Sequence, residues 1–242
     1  MKDKVIIVTG GSGLLGREMV SRLLKEQAIV VNLDLNADDL NSHFIKCDLT
    51  NDQSIYDAID EVLQKYGKID GLVNNAYPRT KDWGDEFENI KPDSWRSNVD
   101  MQLNSYFVIT QKVLAQMKLQ NYGSIVNIAS IYGVVGNDFT IYEGTQISPP
   151  AAYAAIKGGL INFTKYLASR YGQYGVRINA LSPGGIFDNQ DKKFVSNYEK
   201  KVPMKRMGKP DDIAPGVLFL LSDDSKYITG HNLIIDGGWT SI

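Results

Sequence analysis

Cysteine is nearly absent from this chain: Cys47 is the single one in 242 residues. No intrachain disulfide can form, which fits a reducing compartment. Net charge is scarce as well. Lys and Arg number 26 against 28 Asp and Glu, a formal balance of −2, so nothing electrostatic favours nucleic acid or a membrane surface as a partner. Long apolar runs are missing too. The N-terminus, MKDKVIIVTGG, passes from charge into a short apolar strand and then glycines, without a stretch long enough for a signal peptide or a membrane span. There is no internal repeat, low-complexity tract or Pro/Gly/Ser linker to divide the chain. These absences predict a cytoplasmic protein whose residues 1–242 form one domain. No metal site is expected.

Hydrophobic residues make up 43% of the chain and charged ones 22%, ordinary values for a globular protein. Apolar, Val/Ile-rich runs at 5–9, 29–33, 44–47, 71–74, 124–129, 177–181 and 232–235 read as strands buried on both faces. Amphipathic stretches near 14–26, 53–66, 97–120, 150–171 and 211–221 lie between them. This alternation predicts βαβ units in a doubly wound, Rossmann-type α/β parallel sheet.

Tyr153 and Lys157 fall four residues apart in AAYAAIKGG, a spacing that puts both on one helix face. A phenol ordinarily titrates near pH 10, too high for a base at neutral pH. A cation one turn away is expected to stabilise the phenolate and lower that value, giving a proton donor and acceptor. The first βα turn reads Thr9-Gly10-Gly11-Ser12-Gly13-Leu14-Leu15-Gly16. Glycines after a strand and before a helix let backbone N–H groups hold a pyrophosphate; without a ligand, the same residues make a tight turn. Asp34 closes the second strand, eighteen residues after Gly16. An acid there can accept from both adenine-ribose hydroxyls and repels the extra phosphate of NADP. No Arg or Lys lies between Gln27 and Phe44, so NAD(H) is expected over NADP(H). The plainer role for Asp34 is a turn or cap residue.

On these residues the chain resembles the short-chain dehydrogenase/reductase family, nearly end to end. Asp48-Leu49, Asn74-Asn75-Ala76, Ser130, Tyr153/Lys157, Asn179-Ala180-Leu181-Ser182-Pro183-Gly184-Gly185 and Ile235-Asp236-Gly237-Gly238 follow the glycine turn in the family order. The resemblance implies hydride transfer between a nicotinamide cofactor and a carbonyl or secondary alcohol. It assigns the proton to Tyr153, the ribose hydroxyls and the Tyr153 pKa to Lys157, and the substrate oxygen to Ser130. It places Gly10, Gly11, Ser12, Gly13, Leu15 and Gly16 at the cofactor, with Asp34, Asp48, Leu49, Asn75 and Ala76 along its adenosine half. Pro183, Gly184 and Ile186 are expected at the nicotinamide. A homodimer or homotetramer acting on a small molecule is implied as well.

Several features depart from the family pattern. The spacing Gly10-x-x-Gly13-x-x-Gly16 is similar to the extended branch, yet the chain is short for that branch, and its YITGHNLIIDGG ending is typical of the shorter one. Tyr77 replaces a glycine after Asn-Asn-Ala, Gln102 occupies the position of the catalytic-helix Asn, and Asp188 stands where a Thr is common. Ser130 and Tyr153 are 23 positions apart, longer than the family's usual connection. The extra segment, residues 136–150, carries Asp138, Thr140, Tyr142, Glu143, Thr145 and Gln146. Loops inserted beside a rigid site often carry specificity, so Tyr142 and Glu143, with Tyr77, are the expected substrate contacts, and the substrate is expected to be sugar-like. A solvated structural loop is the alternative. The stretch from Ser130 to Gly159 also resembles flagellin-modification oxidoreductases, which are associated with nonulosonic, legionaminic-type sugar pathways. The competing functions are a 3-oxoacyl-carrier-protein-type reductase, a sugar dehydratase or epimerase with bound NAD, and a nucleotide-binding scaffold without turnover.

Overall fold

A computed structural model describes residues 1–37 and 39–242. Seven parallel strands form one sheet in the order β3-β2-β1-β4-β5-β6-β7. They are β1 Val5–Thr9, β2 Ile29–Asp34, β3 His43–Lys46, β4 Gly71–Asn74, β5 Gly123–Ile128, β6 Val176–Pro183 and β7 Asn232–Ile235. The chain winds from β1 outward to β3, then returns to pair β4 on the other side of β1. That reversal opens a crevice at the carboxyl ends of the central strands, where open α/β sheets bind ligands.

Alternation within β1 shows why the strand is continuously apolar. Val5 and Ile7 pack against α2 Asp52–Tyr66, α4 Ser105–Gln120 and α5 Ala151–Tyr171. Ile6 and Val8 pack against α1 Leu14–Lys25 and α7 Pro210–Leu221. Neither face of the strand meets water, and each fully buried Val or Ile contributes roughly 1.5–3 kcal/mol. A third apolar cluster lies apart from the sheet: Ile131, Ile141, Phe194, Tyr198, Val202, Met207 and Trp239.

Two elements differ from the sequence expectation. The helix expected over 97–120 begins earlier, as α3 Pro92–Val99, and is interrupted by a π-helical turn at Asp100–Asn104 before α4. A further helix, α6 Lys192–Lys201, was not anticipated. Its signal was present: Asp191 caps it by accepting from the Lys193 and Phe194 N–H groups at 2.8 and 3.2 Å, and Phe194 and Tyr198 fall one turn apart on its buried side. Among the described residues, no helix is long and apolar enough to cross a membrane.

Candidate active site

A cavity of about 700 Å³ follows the carboxyl ends of the strands, from the glycine turn to Tyr153. Gly10, Gly13, Leu15, Asp34, Asp48 and Leu49 line one end. The turn there is built by close backbone approach. Gly10 has φ +65°, and a Cβ on it would sit 2.8 Å from Ala76 Cα, so only glycine is at ease there. Asn75 clamps the same turn, donating from Nδ2 to Thr9 O at 3.1 Å and Gly10 O at 3.0 Å. The Asn75 and Ala76 N–H groups donate to Thr9 Oγ1.

Helix α1 starts at Gly13 without a side-chain cap, unlike α2 and α6, whose N-termini are capped by Asn51 and Asp191. No side chain caps its first turn, an arrangement shared with anion-binding helix starts. Asp34 accepts from Ser12 N–H at 3.0 Å and from Leu35 N–H at 2.7 Å. A carboxylate has about four acceptor sites, so capacity remains for ribose hydroxyls. Asp48 accepts from the Thr50 backbone and hydroxyl at 2.9 and 2.7 Å. Gly11, Ser12 and Gly16 are not on the cavity wall. Gly11 makes room for Asn32, Gly16 makes room for Gly10, and Ser12 steadies Asp34.

At the other end, Ser130 leaves β5, and Tyr153 and Lys157 project from the first turns of α5; all three line the cavity. Gly133 lets these elements meet, since a Cβ there would lie 2.6 Å from the Lys157 backbone. Ser130 Oγ accepts from Tyr132 N–H at 3.2 Å. Lys157, 4% exposed, donates to Ile128 O at 2.7 Å, and its nitrogen lies 5.5 Å from the Tyr153 ring centre. The expectation that Lys157 lowers the Tyr153 pKa is corrected in the cofactor-free protein. Burial raises Tyr153 above the usual phenol value, opposed by its hydrogen bond with Ser130, and burial pushes Lys157 itself down to about 7. Desolvation is the largest cause at both groups.

This carries a stability consequence. The Lys157 pKa is lower folded than unfolded, so between about pH 7 and 10.5 the folded protein binds fewer protons. Its stability therefore rises with pH across that window. Lys157→Met should remove this slope. Wild type should gain on the variant by about 1 kcal/mol per pH unit between roughly pH 7 and 9, read from urea unfolding. A constant difference across that range would show that Lys157 keeps its proton throughout.

Gln102 does not stand on the cavity wall beside Ser130, Tyr153 and Lys157. It sits in the π-helical turn and is 2% exposed. Its longer arm turns back, donating from Nε2 to Pro78 O at 2.8 Å. Tyr77 does line the cavity, with its ring edge-on to Tyr153 at 5.6 Å and to Trp83 at 5.8 Å.

Residues 136–150 also differ from expectation. Tyr142 lines the cavity, but Glu143 is exposed and lies off its wall. Asp138 caps the short 3-10 helix Phe139–Tyr142 and pairs with Lys201 of α6. Asn197 of α6 donates to the Ile141 and Glu143 carbonyls, both at 3.2 Å. Polar side chains of the segment therefore tie it to α6, while Ile141, Tyr142 and Ile147 join the third cluster. Segment and helix form one packed unit beside the cavity. Cavity residues that the sequence reading missed include Arg79, Tyr132, Phe194 and Tyr198. Tyr132 and Tyr142 hydrogen-bond to each other, and burial raises both pKa values, keeping them as neutral O–H donors at physiological pH. Tyr198 accepts from Gly185 N–H at 2.7 Å and stacks on Trp239 at 4.6 Å.

A family model described as enoyl-(acyl carrier protein) reductase matches residues 15–240. Post-translational flagellin modification protein A of Campylobacter coli is 33% identical over 253 residues, covering 99% of each chain. The 3-oxoacyl-acyl-carrier-protein reductase of Thermotoga maritima is 32% identical over 254 residues, covering 98% of each. Among solved structures, a short-chain dehydrogenase from Leptospira borgpetersenii with bound NAD+ superimposes with a TM-score of 0.92. It is 38% identical and covers 99% of this chain and 94% of that one.

Proposed function

This chain belongs to the short-chain dehydrogenase/reductase family, and from that premise we propose that it moves a hydride between NAD(H) and a secondary alcohol or carbonyl of a sugar-derived substrate. The observation that carries the reading is the convergence of Ser130, Tyr153 and Lys157 at one end of a cavity whose other end is the glycine turn and Asp34. The residues suit a dinucleotide. The uncapped start of α1 with Gly10, Gly13 and Leu15 would hold the pyrophosphate, and Asp34 the adenine ribose. Asp48, Leu49, Asn75 and Ala76 would flank the adenosine, and Pro183, Gly184 and Ile186 the nicotinamide. When bound, the nicotinamide supplies or accepts the hydride.

During reduction, Tyr153 gives its phenolic proton to the carbonyl oxygen as that oxygen gains charge. Ser130 donates a hydrogen bond to the same oxygen, and Lys157 in its protonated form favours the phenolate left behind. Oxidation runs the same proton back to Tyr153. Tyrosine hydroxyls along the substrate end support a hydroxylated substrate, as does the likeness to a flagellin modification protein. Reduction of 3-oxoacyl groups on a carrier protein is the second reading, favoured by the Thermotoga relative, and the family description shares the carrier-protein substrate with it. A dehydratase or epimerase would show no net change in NADH. The lone buried Cys47 suits a cytoplasmic setting, and exposed Phe107 and Tyr166 on α4 and α5 suit assembly into a homodimer or homotetramer.

Preference for NAD(H) rests on Asp34 and on Arg17, the first of the cations of α1, which already pairs with Asp39. Fluorescence titration should show tighter binding of NADH than of NADPH, and Asp34→Ala should weaken NADH and narrow the gap. Tighter NADPH binding by the unmodified protein would contradict the assignment. The activity is tested by following NADH absorbance against paired polyols, ketoses and 3-oxoacyl thioesters. Turnover confined to the thioesters would favour the second reading.

A further inference from the structure

Arg79 stands on the cavity wall with its guanidinium carbon 5.3 Å from the centre of the Tyr77 ring, and it hydrogen-bonds the Tyr77 side chain. Among the described residues, no carboxylate forms an ion pair with it. Its backbone is fixed on both sides by buried amides. Gln102 donates to Pro78 O at 2.8 Å. Asn98, also 2% exposed, accepts from Thr80 N–H at 3.1 Å and donates to Thr80 Oγ1 at 2.8 Å. An exposed arginine held this firmly, yet lacking an acidic partner, is poised for an external anion.

The rest of the wall fits that role. Asp34 and Asp48 belong to the glycine-turn end, and Asp188 follows β6. The Tyr77 ring neighbours both Arg79 and Tyr153, with its centre 5.3 Å from the Arg79 guanidinium carbon and 5.6 Å from the Tyr153 ring centre. These successive separations keep an anion on Arg79 and a carbonyl at Tyr153 within reach of one small hydroxylated molecule. We propose that Arg79 binds a phosphate or carboxylate at the far end of the hydroxylated substrate, and that Gln102 positions it by holding the Pro78 carbonyl. This links two departures from the family pattern, Tyr77 and Gln102, in one device. It rests on the oxidoreductase reading above.

The test is binding of matched ligands to the enzyme–NADH complex: glucitol, glucitol 6-phosphate and gluconate, then fructose and fructose 6-phosphate. At least one charged member should bind about 10- to 100-fold more tightly than its neutral partner, as a charge-assisted contact warrants. The phosphate and carboxylate arms identify the anion. Arg79→Gln should erase the preference and leave NADH affinity and neutral-ligand binding unchanged, and Arg79→Lys should restore part of it. Gln102→Asn, too short to reach Pro78, should raise KM for the charged substrate with little change in kcat. Charged members that bind no better than neutral ones, or a preference that survives Arg79→Gln, would overturn the proposal. So would a fall in NADH affinity in Arg79→Gln, which would assign the residue to the cofactor. Failure of the wild-type protein to bind NADH is a separate result: it removes the oxidoreductase reading and this proposal with it.

Discussion

Tyr153→Phe should lower kcat by about 10²- to 10⁴-fold, the usual worth of a positioned general acid, while NADH binds as before. The substitution removes one oxygen and leaves the ring, whose edge-on contacts with Tyr77 and Trp83 at 5.6 and 6.2 Å do not involve the hydroxyl. Burial holds the phenol above its ordinary pKa in the free protein, so at neutral pH it carries the proton that carbonyl reduction needs. Tyr132 and Tyr142 share the cavity, but their hydroxyls are engaged with each other, so neither replaces it. Single-turnover kinetics with excess enzyme–NADH isolates the chemical step. A variant within about tenfold of wild type would move the proton carrier elsewhere.

Gly16→Ala should be comparably damaging, through the cofactor cradle instead of the chemistry. A Cβ at this position would sit 2.0 Å from Gly10 O and 2.7 Å from Gly11 Cα. Both neighbours are backbone, so relief requires the turn to open, displacing Gly10 from Ala76 and the start of α1 from the cavity. Overpacking typically costs about 1–3 kcal/mol; if NADH binding bears that cost, affinity falls roughly 5- to 100-fold. Gly136→Ala is the control, because nothing lies within 4 Å of its added carbon. Calorimetric titration of both variants with NADH checks the contrast. Equal affinities would mean that the turn adapts without consequence.

The sheet was legible in the sequence because parallel strands covered on both faces must be apolar throughout. Val5–Thr9, Gly71–Asn74 and Asn232–Ile235 fall where the pattern put them. The glycine turn and the Ser130, Tyr153 and Lys157 constellation were readable because few residue types fit such positions. What escaped were facts of direction and partnership. The segment 97–120 has helical composition throughout, and composition does not register one extra residue per turn at Asp100–Asn104. Glu143 looked like a substrate contact by sequence proximity, but a 3-10 turn rotates Tyr142 inward and leaves Glu143 outside. Arg79 has no periodic signal; its meaning comes from Gln102 and Asn98, distant in sequence by 23 and 19 positions. The effect of Lys157 on Tyr153 was misjudged because spacing reports proximity but not the loss of water around both groups.

The third apolar cluster makes the segment 136–150 and α6 one detachable unit. It draws on the segment 136–150, on α6 and on Trp239, and it shares no buried residue with either cluster that anchors the sheet. An engineer could exchange this unit between relatives without touching the glycine turn or Asp34, provided both halves travel together and Tyr198, which holds Gly185 N–H, is kept. Moving the loop alone would strand Phe194 and Tyr198 without Ile141, and moving α6 alone would leave Asp138 without Lys201. Descent faces the same constraint: the two pieces, about fifty residues apart along the chain, have to change in step.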